Sequence, residues 1–437
     1  MDLRINDNFS GNDYISTEFL RELQLARLQK MVKHSYDNVE LFRTRMDELK
    51  VKPEDIKTLK DISLLPFCKK TDLRDTYPFG LCAVPMSEIV RLHASSGTTG
   101  KPIVVAYTQK DLQVWGDVMR RALCCCGLSK NDVIQVSYGY GLFTGGLGAH
   151  GGAEALGATV VPASGGNTKR QVMLIRDFGV NAICCTPSYF LHLIEQAKEL
   201  GIDLRELPIR AGVFGAEPWT QGMRERLERG AGIEAFDIYG LSEIIGPGVA
   251  IECNQHKGMH IFEDHFYPEI IDPDTCEVLP DGETGELVLT TLSKYAMPMI
   301  RYRTRDITRI ITEKCACGRT LRRIDRISAR SDDMFIIRGV NVFPSQIESA
   351  LLMVQGTTPN YMIKLSTAGN MDNIALDIEL AQDVYAQGEA IIEQIRRMVT
   401  ASVESITGLR IKVTVVPFNS ITRSEGKAKR VLDNRIR

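Results

Sequence analysis

Short apolar segments alternate with amphipathic segments along the first 240 residues of the chain. Residues 17–35, for example, carry Leu25, Leu28 and Val32 on one stripe at helical spacing, which predicts an amphipathic helix. The alternation predicts an α/β fold built on a parallel sheet of buried strands. The predicted strands are residues 104–106, 132–137, 159–162, 182–185, 210–214 and 235–239, and the later helices are residues 112–123, 145–157, 168–178, 188–199 and 218–229.

The pattern changes after residue 250, where short strands are joined by turns and predict a β-rich annex. From residue 334 onwards, strands and two helices predict a small α+β domain. We therefore expect a large N-terminal domain (residues 1–331) with parallel α/β sheets and the annex. A small mobile C-terminal α+β domain (residues 332–437) follows, with Asp332 as the hinge. The predicted elements are strands 269–272, 286–291, 307–311, 361–365, 374–379 and 411–416 and helices 344–354 and 385–405.

Composition and charge exclude several classes of partner. The 437 residues carry a net charge of −2, so no electrostatic attraction favours nucleic acid or an acidic membrane surface. No apolar run reaches the length of a membrane span, and the polar first residues lack the apolar core of a secretory signal. Eleven cysteines without such a signal favour reduced thiols. We expect a cytoplasmic protein with small-molecule substrates; the sequence leaves a homodimer open.

A segment rich in serine, threonine and glycine precedes the strand at 104–106 and is a candidate phosphate-binding loop. Glycine lets backbone N–H groups approach an anion, hydroxyls add donors, and lysine adds positive charge. Only two residues separate its glycines, so it is not a Walker A loop; the alternative is an ordinary surface turn. The candidate residues are Ser95, Ser96, Gly97, Thr98, Thr99, Gly100 and Lys101.

Residues 146–151 fit the Gly-x-Gly-x-x-Gly pattern of dinucleotide-binding folds. That fold also requires an acidic residue about 20 positions further on. Residues 163–167 contain no carboxylate. We therefore interpret these glycines as close-packing positions or as part of a substrate wall.

Two further segments end in carboxylates: residues 239–243 (Tyr-Gly-Leu-Ser-Glu) and residues 302–306 (Tyr-Arg-Thr-Arg-Asp). Taken alone, Glu243 would be a solvated side chain and Asp306 one member of an ion pair. Together with the candidate phosphate loop they match the needs of ATP chemistry. Those needs are a phosphate cradle, a carboxylate for magnesium and a carboxylate for ribose hydroxyls.

Five segments, in chain order, resemble motifs of the adenylate-forming superfamily, which includes acyl-CoA synthetases, luciferases and peptide-synthetase adenylation domains. They are residues 95–102 (SSGTTGKP), 239–243 (YGLSE), 302–306 (YRTRD), 329–348 (ARSDDMFIIRGVNVFPSQIE) and 423–431 (RSEGKAKRV). Residues 137–150, 263–273 and 332–348 resemble the phenylacetate–CoA ligase family in particular. The resemblance implies an enzyme that activates an aryl acid, with phenylacetate as the best guess, using ATP and Mg²⁺. The acyl group then passes from the adenylate to coenzyme A.

The resemblance also implies roles for individual residues. Residues 95–101 would hold the β- and γ-phosphates, and Glu243 would bind magnesium. Asp306 would bond the ribose hydroxyls, and Arg330 would add a contact to ribose or phosphate. The remaining nucleotide-binding residues, several of them against adenine, would be Gly215, Ala216, Glu217, Tyr239, Gly240 and Ser242.

Lys427 matches the catalytic lysine of the family. Negative charge builds up when a carboxylate attacks the α-phosphate, and a cation on a flexible side chain stabilises it. Without the upstream motifs, a merely basic C-terminal tail would be the better interpretation. Thr422 stands where the family usually has proline, so we expect a more mobile loop.

An aryl-acid pocket is expected after the strand at 132–137. Aromatic side chains there can wall a ring, and the glycines beside them leave room for it. The candidate pocket residues are Tyr138, Tyr140, Phe143, Gly145 and Gly146.

Four further residues form a candidate structural zinc site: Cys253, His260, Cys315 and Cys317. Structural zinc takes four cysteine or histidine ligands in a tetrahedron. His260 is preferred to His256 because Gly258 allows a turn back toward Cys253. Some members of the resembling family lack these residues, so the metal would fix the annex and take no part in catalysis. The alternative is a set of reduced cysteines without metal.

Two other functions stay open at this point. One is an adenylating enzyme that loads a carrier protein in trans, which a comparison of coenzyme A with holo-carrier would separate. The other is a nucleotide sensor that binds ATP but releases no pyrophosphate; the presence of both Lys427 and Glu243 argues against it.

Overall fold

The computed structural model describes residues 11–95, 102–331, 335–337, 340–368, 371–423 and 428–435. The helices there are α1 (Thr17–Asn38), α2 (Glu40–Glu48), α3 (Lys70–Asp75), α4 (Gln109–Cys125), α5 (Thr144–Leu156), α6 (Thr168–Asp177), α7 (Pro187–Glu199), α8 (Gln221–Ala231), α9 (Pro344–Leu352), α10 (Gln382–Tyr385) and α11 (Glu389–Thr407). Within these described ranges, no helix has both the length and the apolar character needed to cross a membrane.

The strands of the described part of the chain form five sheets. In chain order they are β1 (Ile89–Ser95), β2 (Ile103–Thr108), β3 (Val133–Val136), β4 (Thr159–Val161), β5 (Ala182–Cys185), β6 (Ala211–Gly215), β7 (Glu234–Leu241), β8 (Ile245–Glu252), β9 (Met259–Ile261), β10 (Phe266–Ile271), β11 (Gly285–Thr291), β12 (Tyr302–Thr308), β13 (Ile310–Ile311), β14 (Arg323–Ile324), β15 (Ala329–Arg330), β16 (Phe335–Ile337), β17 (Val340–Val342), β18 (Thr357–Ala368), β19 (Met371–Leu380), β20 (Lys412–Val416) and β21 (Val431–Asn434).

The largest sheet has nine strands in the order β13-β14-β9-β8-β7-β6-β5-β3-β4. The five strands from β7 to β4 in that order pair in parallel, which confirms the parallel α/β prediction. Both faces of this part are covered: Ile183 and Cys185 of β5 belong to one hydrophobic core, and Cys184 between them belongs to another. Burial on both faces explains why the strands are continuous apolar runs.

Side-chain caps set several helix boundaries. Thr108 caps α4 by accepting a hydrogen bond from the Asp111 backbone N–H, and Asp111 completes the capping box. Helix α8 begins at Gln221, three residues later than predicted, because Thr220 accepts from the Met223 N–H. Helix α5 ends at Gly157, which takes the left-handed conformation (φ 79°) that glycine adopts readily.

The β-rich annex differs from the prediction in its details. Its four-stranded sheet has the order β10-β11-β12-β15. The single strand predicted at 307–311 is wrong: β12 already begins at Tyr302, and the chain then passes into β13, which pairs with β14 in the nine-stranded sheet. Strand β8 was not predicted because it contains Gly246, Pro247 and Gly248, residues that ordinarily argue against a strand.

The C-terminal segment has its own sheet, in the order β20-β19-β18-β21, and its own hydrophobic core. Strands β18 and β19 pair over most of their lengths and are longer than predicted. The basic tail contributes an unpredicted strand, β21, which pairs in parallel with β18. The α+β architecture predicted for this segment is confirmed.

A buried ionic cluster ties the first described residues to the middle of the chain. Arg121 of α4 is fully buried. Its Nη1 and Nη2 donate to the two carboxylate oxygens of Asp264 at 3.0 Å each, and its Nε donates to Asp13 at 2.8 Å. Burial opposes ionisation of Asp264, but His265 and Arg121 outweigh it and hold the pKa of that carboxyl far below its usual range.

We expect Asp264→Asn to lower the free energy of unfolding by about 3–5 kcal/mol, because it leaves the buried Arg121 charge with one anionic partner fewer. The depressed pKa of Asp264 means that its contribution is present above about pH 4 and is lost as the pH falls. The variant should therefore show a weaker acid dependence of stability. Denaturant unfolding measured as a function of pH tests both expectations.

The matched control is Asp37→Asn, which removes an exposed ion pair to Lys33 on α1. Its effect should stay within about 0.5 kcal/mol. Equal losses in the two variants would contradict the role given to the buried cluster.

Candidate active site

The site lies at the carboxyl ends of parallel strands. Strands β5, β6 and β7 are neighbours with the same direction, so the segments that follow them meet at one edge of the sheet. Those segments contain Ser188, the turn at Gly215 to Glu217, and the segment Tyr239 to Glu243. Six of the candidate nucleotide-binding residues therefore share one edge: Gly215, Ala216, Glu217, Tyr239, Gly240 and Ser242.

Asp306 is held from two sides. The Tyr239 hydroxyl donates to its Oδ2 at 2.6 Å, and Arg330 Nη1 donates to its Oδ1 at 3.0 Å. Asp306 and Arg330 are paired residues of β12 and β15. Burial and the adjacent Asp306 carboxylate raise the pKa of Tyr239 well above its ordinary value, so the phenol stays a hydrogen-bond donor. The carboxylate is thus fixed in orientation before any ligand arrives.

The end of β6 approaches β7, and the end of β7 approaches β8, too closely for side chains. A Cβ on Gly215 would lie 2.3 Å from the Ile238 carbonyl oxygen, and one on Gly240 would lie 2.7 Å from the Ile245 carbonyl oxygen. Ala216, between Gly215 and Glu217, has φ 70°. A non-glycine residue in that region is a strained position of the kind concentrated at functional sites.

The Glu217 side chain points toward the C-terminal segment. One carboxylate oxygen accepts from the Ser188 backbone N–H at 2.8 Å, and the other accepts from the Ala428 backbone N–H at 3.1 Å. The sequence grouped Glu217 with the adenine contacts, whereas both of its carboxylate oxygens engage backbone donors here.

Glu243 is 5 % exposed and lies among cations. Lys70 Nζ is 3.6 Å from its Oε1, and Lys294 Nζ donates to its backbone oxygen at 2.8 Å. Burial lowers the pKa of Lys294 to about 8, against the opposing effect of Asp111 and Glu243. Ser242 is fixed as well, since Tyr107 donates to its carbonyl oxygen and its Oγ lies 3.2 Å from Thr144 Oγ1.

Sequence reasoning missed Lys70, Lys294 and Tyr107. Lys294 follows β11 in a segment that otherwise has no charge from Leu287 to Ile300. A lone lysine in such a segment gives no signal that its ammonium group points inward. Tyr107 occupies a strand position where an aromatic residue is ordinary core.

The candidate pocket residues lie in the loop between β3 and α5 and in the first turn of α5. Tyr138 is buried in the core, with its hydroxyl against the Gly215 backbone. Gly145 lies under its ring, since a Cβ there would be 3.4 Å from Tyr138 Cγ. Phe143 precedes α5 and is 52 % exposed. Gly146 lets α5 approach the preceding loop, because its Cβ would lie 2.7 Å from the Gly139 oxygen.

Tyr140 belongs to a polar chain that the sequence did not indicate. Its hydroxyl lies 3.1 Å from His150 Nδ1, and His150 Nε2 lies 3.0 Å from a Glu154 carboxylate oxygen. Both partners are on α5, at helical spacing. Burial raises the pKa of Tyr140 to about 12, so the phenol remains protonated.

The four candidate metal ligands come together. Their ligand atoms all lie within 4.8 Å of one another. Cys253 Sγ is 3.6 Å from Cys315 Sγ, and Cys317 Sγ is 3.3 Å from His260 Nε2. Tetrahedral zinc with ordinary bond lengths separates such atoms by roughly 3.5–3.8 Å. The other ring nitrogen, His260 Nδ1, lies 3.1 Å from the Leu321 carbonyl oxygen, which presents Nε2 to the cluster.

His256 lies outside this group. Its Nδ1 is 2.9 Å from Arg224 Nη1, and its Nε2 is 2.8 Å from a Glu234 carboxylate oxygen. Gly258 has φ 88°, so the chain does turn between the two histidines as expected.

Several candidate residues lie outside the described ranges: residues 96–101, Asp332 and Lys427. Ser95 is the last residue of β1 and is paired with Ile103 of β2. The described part of the site therefore covers the candidate contacts to the adenosine half of ATP and Glu243.

Comparison with known proteins agrees with this geometry. The family model described as AMP-binding enzyme matches residues 21–293, and the model described as AMP-binding enzyme C-terminal domain matches residues 339–435. This chain belongs to the AMP-binding enzyme family. The resemblance seen in the sequence motifs is thereby confirmed.

One relative within this AMP-binding enzyme family is the phenylacetate-coenzyme A ligase of Pseudomonas putida. It is 51 % identical over 422 residues, which cover 96 % of this chain and 95 % of the relative. The likeness therefore extends through both matched segments.

A solved structure of 2-hydroxyisobutyryl-CoA ligase in the postadenylation state matches with a TM-score of 0.92 at 30 % identity, covering 97 % of this chain and 91 % of that one. The same ligase in the thioesterification state matches with a TM-score of 0.72 at 31 % identity and the same coverage. Because sequence and coverage hardly differ, the gap in TM-score reflects a different arrangement of the parts. This chain is therefore more similar in its arrangement to the postadenylation structure of that ligase than to the thioesterification structure.

Proposed function

We propose that this protein is an AMP-forming acid–thiol ligase that joins an aryl carboxylic acid, with phenylacetate as the best candidate, to coenzyme A. The observation that supports this proposal most directly is the position of the Asp306 carboxylate. Tyr239 and Arg330 hold it next to the backbone at Gly215 and Gly240. The relative that spans nearly the whole chain supports coenzyme A as acceptor. A carrier protein is not favoured.

The reaction has two steps. A carboxylate oxygen of the acid attacks the α-phosphorus of ATP, and the bond to pyrophosphate breaks. The coenzyme A thiolate then attacks the acyl carbon, the thioester forms, and AMP leaves with the bonding electron pair. Adenylate formation replaces an oxide leaving group by AMP, which departs far more readily.

In this proposal the protein acts mainly by positioning the nucleotide and by stabilising the negative charge that develops during the reaction. Asp306 accepts hydrogen bonds from the ribose hydroxyls, with its orientation fixed by Tyr239 and Arg330. The close backbone turns at Gly215, Ala216 and Gly240, with Tyr239 and Ser242, border the adenine. Residues 95–101 hold the β- and γ-phosphates, and Lys427 stabilises the charge that develops in the first step.

Glu243 would hold Mg²⁺, which supplies neutralisation of phosphate charge when bound. Its carboxylate fits this role as a hard oxygen donor, and Mg²⁺ commonly uses only one or two carboxylates together with substrate phosphates. Lys294 and Tyr107 fix the backbone of residues 242–243. Glu243 therefore has limited freedom to move when the nucleotide binds.

We propose a division into domains at residues 1–331 and 332–437, with Asp332 as the hinge. Separate hydrophobic cores on the two sides support it. Rotation of the small domain between the two steps would let Lys427 serve the first step and make room for coenzyme A in the second.

The pocket of Tyr138, Tyr140, Phe143, Gly145 and Gly146 would receive the aryl ring. The proximity of the Tyr138 hydroxyl to the Gly215 backbone supports this assignment. We further propose action in the cytoplasm on small molecules, with no nucleic-acid or membrane partner.

A structural zinc ion at Cys253, His260, Cys315 and Cys317 completes the proposal. Its ligands join the end of β8, strand β9 and the loop after β13, so zinc would fix one edge of the nine-stranded sheet. The hydrogen bond between the two thiols lowers the pKa of Cys317, against the opposing effect of burial, and raises the pKa of Cys253. A thiolate is the form that binds zinc.

Pyrophosphate release over a set of aryl, dicarboxylic and long-chain fatty acids, with and without coenzyme A, tests the function. Phenylacetate and close ring analogues should give the highest kcat/KM, because a second carboxylate would be buried without a partner. A fatty acid of roughly twelve carbons exceeds a ring-sized pocket. If such an acid outperformed every aryl acid, the proposed substrate class would be wrong.

Lys427→Ala should reduce adenylate formation by at least about a hundredfold, since it removes a cation that acts on the developing charge. The thioester step from premade acyl-adenylate should be spared. Lys429→Ala, in the same basic tail, is the control and should leave the first step within about threefold of wild type, as a surface substitution does. Equal loss in both half-reactions would contradict the assigned role.

Protein purified without added metal should contain one zinc per chain by elemental analysis. The double variant Cys315→Ser/Cys317→Ser should lose the zinc and melt at a lower temperature, because structural metal binding contributes to folding free energy. Turnover per folded molecule should fall less than stability. Cys82→Ser, half-buried and outside the cluster, is the matched control; retention of zinc by the double variant would overturn the site.

A further inference from the structure

Several polar contacts cross between the N-terminal and C-terminal parts. Arg226 Nη1 of α8 donates to the Thr357 carbonyl oxygen at 2.8 Å, and Arg423 Nε lies 3.5 Å from a Glu195 carboxylate oxygen. The third contact is that of Glu217 with Ala428. Of these three contacts, only the one between Glu217 and Ala428 involves the turn that borders the candidate nucleotide site.

The two oxygens of Glu217 have different tasks. One accepts from the N–H of Ser188, the second residue of the 13-residue helix α7. Backbone N–H groups in the first turn of a helix lack intrahelical partners and favour a negative charge. This bond fixes the carboxylate on the rigid N-terminal part, so the other oxygen is presented in a set direction to the Ala428 N–H.

Ala428 directly follows Lys427 in the sequence and leads through Arg430 into β21. The surroundings of this contact are buried: Tyr361 donates to a Glu348 oxygen at 2.8 Å, and Arg430 Nε lies 3.6 Å from the same carboxylate. Glu217 is near enough to add its charge to those acting on Glu348 and Arg430. The Glu217–Ala428 contact is itself half-buried and borders this buried group of side chains, so a missing acceptor costs more there than in open solvent.

We propose that Glu217 is a positioning residue for the first half-reaction: by bridging Ser188 N–H and Ala428 N–H, it holds the C-terminal part in the adenylate-forming arrangement. The bridge is present in a structure whose parts are arranged as in the postadenylation state of a related ligase. Rotation of the C-terminal part for the second step carries Ala428 away from Glu217, so the bridge serves one step only. This inference rests on the proposed two-step function.

Glu217→Gln is the most informative substitution, because it keeps the shape and leaves a single acceptor oxygen for two N–H donors. Single-turnover pyrophosphate release should slow by about tenfold, equivalent to ~1.4 kcal/mol. The dissociation constant for ATP should stay within about twofold, and thioester formation from premade phenylacetyl-adenylate should be unchanged or faster. Glu217→Asp keeps the charge but is one methylene too short to bridge the two N–H groups. It should likewise slow pyrophosphate release while leaving ATP binding and thioester formation unimpaired.

Amide hydrogen exchange gives a readout that does not require activity. In Glu217→Gln the amides of residues 428–431 should exchange faster than in wild type, while those of β20 should not change. The matched control is Glu225→Gln on the exposed face of α8, which should leave both half-reactions and the exchange pattern as in wild type.

The possible outcomes distinguish failure of the Glu217 bridge from failure of the proposed ligase function. Wild-type protein that releases no pyrophosphate with any aryl acid would refute the proposed function. Active wild type with equal losses in both half-reactions of Glu217→Gln, or with a raised ATP dissociation constant and unaltered exchange, would refute the bridge and favour an adenine contact. Unaltered rates and exchange in both Glu217 variants would also refute it.

Discussion

The parallel direction of β5, β6 and β7 is the constraint on which the candidate site depends. It brings Ser188, Glu217 and Tyr239 to one edge, although 51 residues separate the first from the last in the sequence. Parallel strands require crossover helices, and these cover both faces of the sheet. The edge is then where backbone donors and polar side chains can face a ligand, because the faces are closed by apolar packing.

The sequence predicted the architecture well where periodicity and burial agree. Strand β5 was located to the residue because a run buried on both faces has no competing interpretation. Strand β8 was missed because its packing overrides the local preference of Gly246, Pro247 and Gly248. Strand β21 was missed because a basic tail has no apolar pattern of its own; it is held by pairing with β18, which periodicity does not reveal.

The candidate site was predicted unevenly, for a physical reason. Cys253, His260, Cys315 and Cys317 were grouped from residue chemistry alone, since thiols and imidazoles are uncommon enough for their spacing to be informative. The direction in which a carboxylate side chain points cannot be inferred from residue type and spacing. Glu217 was assigned to the nucleotide because of its motif, but both its oxygens are engaged by N–H groups, one of which lies 211 residues away. Lys294 likewise shows its importance only through the backbone oxygen it meets.

Asp306 and Glu217 illustrate two ways of fixing a carboxylate, suited to different parts of a two-step reaction. Asp306 is held by side chains within the N-terminal part, by two bonds to strong donors, and can keep its orientation throughout turnover. Glu217 reaches the C-terminal part through one N–H.

A single hydrogen bond of a charged acceptor contributes about 1.5–3 kcal/mol, whereas breaking a fully buried ion pair costs about 3–5 kcal/mol. In the proposed cycle the Glu217–Ala428 contact forms and breaks once per turnover, so the smaller free energy lets the C-terminal part leave faster than a fully buried ion pair would. The Arg423–Glu195 pair follows the same logic, since its glutamate is 35 % exposed and its charges are 3.5 Å apart. Arg121 and Asp264 form a strong, fully buried pair, and both residues lie within the N-terminal part, so the proposed rotation leaves the pair intact.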